Sequence, residues 1–172
     1  MAQLPENVKT GSVSGFGSVH ADAPGMIREW GYTKQFVIAP TTTHDAPICS
    51  GSAPSFVTDY QQPLAPLEPG DGLFIFGQQA VGASNTTPLV WSIEWGYNED
   101  RSGSNKMVVG SANRNGPWFQ HFELPLGIYG PPDSTQGDGK TYVWLDILNV
   151  GASPTTYNKV TLELFEYRKP GT

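Results

Sequence analysis

The chain has 172 residues, enough for one domain that buries about 70% of the surface its unfolded form exposes, with no need of a disulfide or a metal. Only 15% of the residues are charged, against about 25% in an average soluble domain, and the net charge is -6. The ten Lys and Arg are scattered, which argues against nucleic-acid binding, and no apolar run approaches the ~20 residues of a membrane helix.

The N-terminus, MAQLPENVKT, lacks a basic start followed by an apolar stretch, so no secretory signal is expected and the protein is expected to be made soluble in the cytoplasm. Residues 1–33 stand apart from the rest. TGSVSGFGSVHADAPG sets Val13, Phe16 and Val19 among small polar residues, too sparsely to build a core. This segment is expected to form an extended arm that becomes ordered by lying on another surface.

From residue 34 to 172 a single domain is expected. Its apolar runs are short and rich in β-branched and aromatic residues, which predicts strands over 34–39, 55–58, 72–81, 88–97, 105–113, 118–124, 140–149 and 157–167. Turn chemistry separates them, as in EPGDG at 68–72, EDRSGSN at 99–105, NRNGP at 113–117 and GPPDSTQGDG at 130–139. No window shows a sustained 3.6-residue apolar period. The expected fold is therefore all-β: an eight-stranded antiparallel jelly-roll barrel or sandwich with an extended N-terminal arm, an immunoglobulin-like sandwich being the alternative strand order.

In LVWSIEWGY, residues 89–97, Trp91, Ile93 and Trp95 alternate with Ser92 and Glu94. Strict alternation is the pattern of a strand with one face in a core, so the Trp row is expected inside and Ser92 and Glu94 outside. Two later strands differ. In YVWLDIL, Val143, Leu145 and Ile147 oppose Tyr142, Trp144 and Leu148, and in the last strand Val160, Leu162 and Leu164 oppose Phe165 and Tyr167. Both faces are apolar. The second faces, with Trp144 and Phe165, are expected to be covered by the arm or by another subunit, and with Val13, Phe16 and Val19 they form the expected assembly interface.

No catalytic signature stands out. His20, His44 and His121 show no ligand spacing, GSVSG at 11–15 has valine where a nucleophile would stand, and Cys49 reads as a small buried apolar side chain. Glu94, Glu99, Asp100, Asp146 and Glu163 could supply a glycosidase pair, but any chain with 16 acids could. YNEDRSGSN and GPPDSTQGDGK lack the spacing of an EF-hand loop, and NTT at 85–87 is a lone glycosylation sequon. No enzyme activity, metal or cofactor is expected.

A Gly/Ser arm followed by GDGLFIFGQQAVG, LVWSIEWGYNED, WFQHFELPLGIYGPP and KTYVWLDILNV resembles viral single jelly-roll capsid proteins, over roughly Gly11 to Lys169. More narrowly it resembles the smaller major capsid protein of icosahedral, internal-membrane viruses that build a shell from two kinds of upright β-barrel. Those viruses infect thermophilic bacteria and halophilic archaea, and the modest charge fits the former. The resemblance implies a structural virion protein that self-associates as a dimer or larger species, exchanges terminal strands and co-assembles with a larger jelly-roll capsid protein. It also implies apposition to an internal viral membrane, and no catalytic residues. The alternative is a carbohydrate- or receptor-binding β-sandwich module, with Tyr129, Trp118 or Tyr97 as its exposed aromatics.

Overall fold

The computed structural model describes residues 26–32, 36–51, 64–82, 89–112, 118–151 and 155–169. The arm candidates Val13, Phe16 and Val19, and the strand expected at 55–58, lie outside the described residues.

Those residues form nine strands and no helix: β1 (Met26–Tyr32), β2 (Phe36–Ile38), β3 (Thr43–Cys49), β4 (Gly72–Gly82), β5 (Leu89–Gly96), β6 (Asn105–Ala112), β7 (Trp118–Tyr129), β8 (Tyr142–Asn149) and β9 (Thr155–Tyr167). They build two antiparallel sheets. The first runs β1-β9-β4-β7, with β2 pairing β9 beyond the end of β1, and the second runs β3-β8-β5-β6.

Two strands form where none was expected. β1 falls within the range read as arm, and it pairs along β9 from Met26↔Glu166 to Tyr32↔Val160. β3 was not expected, because THDAPIC carries Pro47 and two adjacent polar residues, which mask its strand character. As an edge strand, β3 can hold a proline whose missing N–H falls on the open side. A register shift between Pro47 and Cys49 completes the local irregularity.

A single core joins the sheets. Leu73 and Ile75 of β4, Leu162 and Leu164 of β9 and Ile128 of β7 meet Ile48 and Cys49 of β3, Trp91 and Ile93 of β5, and Val143, Leu145 and Ile147 of β8. Trp91 and Ile93 are buried and Trp95 packs against the cluster, so the alternation of residues 89–96 does mark a core face. Burial of each such side chain contributes about 1.5–3 kcal/mol.

Between β3 and β4 the chain adds one more layer of pairing. Leu64 N–H donates to Ile48 at 2.6 Å, and Leu67 exchanges backbone hydrogen bonds with Thr141 at 2.9 and 2.8 Å. These bonds fix the loop across the mouth of the sandwich, where Leu64 and Leu67 cap the core.

Candidate functional site

The outer face of the second sheet is the most heavily organised surface. Across β3 and β8, Asp45 stands directly opposite Asp146, and across β8 and β5, Asp146 stands opposite Ser92 while Trp144 faces Glu94. On the far side Glu94 is paired with Lys106 of β6. Three carboxylates thus share one face, an arrangement that repels itself unless cations intervene.

Two cations do. Arg101, in the β5–β6 loop, places Nη1 3.1 Å from Asp146 and 3.3 Å from Glu94, and Nη2 3.4 Å from Asp45. Lys106 Nζ lies 2.7 Å from Asp146 and 3.3 Å from Glu94. Ser104 donates its hydroxyl hydrogen to Glu94. The Arg101 guanidinium also sits 4.6 Å above the Trp144 ring, which stacks on Tyr142 at 6.0 Å.

Electrostatics separates the two inner acids. Burial pushes the Asp146 carboxyl up, and its neighbour Glu94 adds to that, so its pKa is raised although Lys106 and Arg101 pull the other way. Burial also acts upward on Glu94, but the hydrogen bond from Ser104, followed by Asp146 and Lys106, brings it below its ordinary value. Burial works against the Lys106 charge, which Asp146 and Glu94 more than restore, leaving its pKa raised.

The loop that supplies Arg101 is pinned at its base. Glu99 N–H donates to Asp138 at 3.0 Å, Asp138 N–H to the Tyr97 carbonyl at 2.9 Å, and the Asn98 amide to the Ser102 carbonyl at 3.0 Å. Arg101 takes φ 64°, a left-handed conformation that a non-glycine residue adopts at some cost. Arg101 of this loop therefore covers Trp144, expected under the arm or another subunit, from within the same chain. Ser92 and Glu94 point outward as expected, yet they too are buried.

A second cluster closes the opposite sheet. Asp71 accepts hydrogen bonds from Glu68 N–H at 2.9 Å, Lys169 N–H at 2.8 Å and Arg168 Nη1 at 2.8 Å. Arg168 also donates to the carbonyls of Pro66 and Ala65 and pairs with buried Glu166. Burial opposes the Arg168 charge, but Glu166 and Asp71 hold its pKa above the ordinary value. This staple ties the β3–β4 loop to the end of β9.

The outer face of the first sheet is aromatic. Phe165, an expected interface residue, is half-buried and pairs across β9–β4 with Phe74, 6.2 Å between ring centroids. Phe74 meets Tyr129 edge-on at 5.7 Å. The Tyr129 ring lies across two glycines: a Cβ at Gly127 would stand 3.2 Å from its hydroxyl oxygen, and one at Gly72 3.5 Å from Cδ1. Tyr129 is 62% exposed.

Of the other exposed large apolar side chains among the described residues, Met107 and Val108 (63%) lie on edge strand β6 and Leu124 (82%) on edge strand β7, while Tyr97 and Val150 lie just past the ends of β5 and β8. Of the five expected interface residues, Trp144 is thus buried under Arg101, Phe165 is half-covered by Phe74, and the three arm residues lie outside the described residues. Among the described residues no three His, Cys, Asp or Glu are placed to hold a metal ion.

No protein-family model matches the chain, and no curated protein matches it. Among solved structures it is similar to PirA (TM-score 0.32, 14% identity, 78% of this chain and 93% of that one). It is also similar to infectious bursal disease virus, Gx strain (TM-score 0.43, 13% identity, 87% of this chain and 34% of that one). A D431N mutant VP2 protein of the same virus, in T=1 particles, gives a TM-score of 0.38 at 12% identity over 91% of this chain and 40% of that one. The chain spans less than half the length of the virus chains. At these scores the likeness is loose.

Proposed function

We propose that the protein is a structural virion component: a major capsid protein of the single jelly-roll type that self-associates and co-assembles into an icosahedral shell. The observation that carries this is strand order. With β1 and β2 taken as one interrupted strand, the sheets run β1/β2-β9-β4-β7 and β3-β8-β5-β6, so the chain crosses between sheets at every step except the β5–β6 pair, an order that fits a jelly roll. Architecture by itself does not choose among capsids, lectins and cupins. The capsid reading also draws on a sparsely charged chain whose large exposed apolar residues sit mostly on sheet edges, and on loops pinned by ion clusters, which suit a rigid building block.

In this reading the protein resides in the virion and has no catalytic role. Its partners are further copies of itself and a larger jelly-roll capsid protein, with the shell apposed to an internal membrane. The test is assembly. Purified full-length protein forms ordered sheets or shells visible by electron microscopy at high concentration, and removal of residues 1–20 abolishes them. Assembly unchanged by that truncation would refute the role of the arm, and an absence of ordered assembly from the full chain would refute the shell reading.

Tyr129 favours a second reading, a carbohydrate- or receptor-binding module. A largely exposed ring set against two glycines is one on which a sugar ring can stack. Glycan-array binding lost in Tyr129→Ala would support that function in place of assembly.

A further inference from the structure

Open sheet edges invite other strands, and folded proteins usually blunt them with charge, proline, bulges or brevity. Three of the described edges of this sandwich carry such devices. The β1/β2 edge is split between strands of 7 and 3 residues. β3 carries Asp45, Pro47 and a register shift. β7 carries Pro125 and an irregularity in which His121 and Leu126 bracket four residues opposite Phe76 alone.

β6 is different. Its sequence, NKMVVGSA, holds no proline and one charge, Lys106. That charge is directed onto Glu94 and Asp146 rather than left to guard the edge. Met107 and Val108 are 39% and 63% exposed beside it. The only irregularity is the register shift opposite Trp91 and Ser92, which leaves Asn105–Val108 in unbroken register with β5.

We infer that β6 is a self-association edge, pairing antiparallel with β6 of a second copy of this chain across a two-fold axis near Met107 and Val108. The charge pattern selects the occupant. With the axis at either residue, Lys106 meets an uncharged residue of the other copy, so identical strands meet without like-charge repulsion and need no acidic partner. The joined sheets would run β3-β8-β5-β6 and then the same order reversed. The inference holds whether or not the dimer goes on to build a shell.

Full-length protein is tested by sedimentation equilibrium and by cysteine cross-linking. Val108→Lys, an exposed substitution whose folding is verified by its unchanged melting curve, weakens the dimer Kd by about ten-fold or more. Met107→Cys or Val108→Cys yields a covalent dimer on mild oxidation, whereas Leu124→Cys on β7 does not; native Cys49 is buried and silent. An unchanged Kd in Val108→Lys overturns the inference, as does cross-linking equal at Leu124. So does loss of the dimer on deleting residues 1–20 while Val108→Lys dimerises normally, which would assign the contact to the arm. A β6 dimer that never forms ordered assemblies would leave this inference standing and remove the capsid reading.

Discussion

Asp45 and Asp146 face each other directly across β3 and β8, and a single side chain, Arg101, reaches both, at 3.4 and 3.1 Å. Two carboxylates in that register repel, so the second sheet depends on a loop residue to close. Arg101→Ala removes the bridge, uncovers Trp144 and leaves Asp146 with Lys106 alone among the two cations. The predicted loss is about 3 kcal/mol in chemical denaturation. Arg101→Lys restores less than half of it, because an ammonium lacks the planar fork that spans three carboxylates and stacks on the indole.

The two inner acids of that cluster predict opposite pH signatures. The folded pKa of Glu94 lies below its ordinary 4.5, so its contribution is present above 4.5 and lost as pH falls through the folded value. Asp146 is raised above 3.8, so the folded protein binds that proton more tightly than the unfolded chain, and the Asp146 contribution declines as pH rises through its folded value. Glu94→Gln is therefore most damaging near neutral pH and loses its effect in acid. Asp146→Asn is less damaging at neutral pH than in acid. Urea titrations of both variants from pH 3 to 7 check the two slopes.

Asp71 is the other single point of failure, because three donors converge on it, one from its own loop and two from Arg168 and Lys169 after β9. Asp71→Ala leaves those donors, including the half-buried Arg168 charge, short of an acceptor. It is predicted to cost roughly 3 kcal/mol. Hydrogen exchange at Leu64 and Leu67 should accelerate well before the β5 and β8 amides respond.

Two glycines separate steric need from backbone need. A Cβ on Gly130 would stand 1.8 Å from the Glu68 carbonyl oxygen, so Gly130→Ala forces the β3–β4 loop apart and should prevent recovery of folded protein. Gly103 has φ 67° with nothing within 4 Å of a Cβ, so Gly103→Ala carries only the left-handed penalty of about 1 kcal/mol. Melting curves distinguish these outcomes.

The sequence made β4, β5, β6, β8 and β9 legible to within two residues, because their apolar runs are bounded by turn residues and residues 89–96 alternate strictly. β7 was expected to end at 124 but continues to Tyr129, beyond Pro125 and its irregular pairing. β1 was hidden by Arg28 and Glu29 within a short run, and β3 by His44, Asp45 and Pro47. The doubly apolar face of β8 was visible, but its covering was not. EDRSGSN reads as a solvated turn, and only the folded register brings Arg101 to Asp146, 45 residues away. Edge position, which makes Val108 conspicuous, is likewise a property of sheet order rather than of local composition.

As a building block for contact with its own kind, the sandwich must self-associate in solution. Sedimentation equilibrium of the full chain across micromolar concentrations tests it most directly. A dimer or larger species is the predicted result, and a strictly monomeric mass throughout would contradict it.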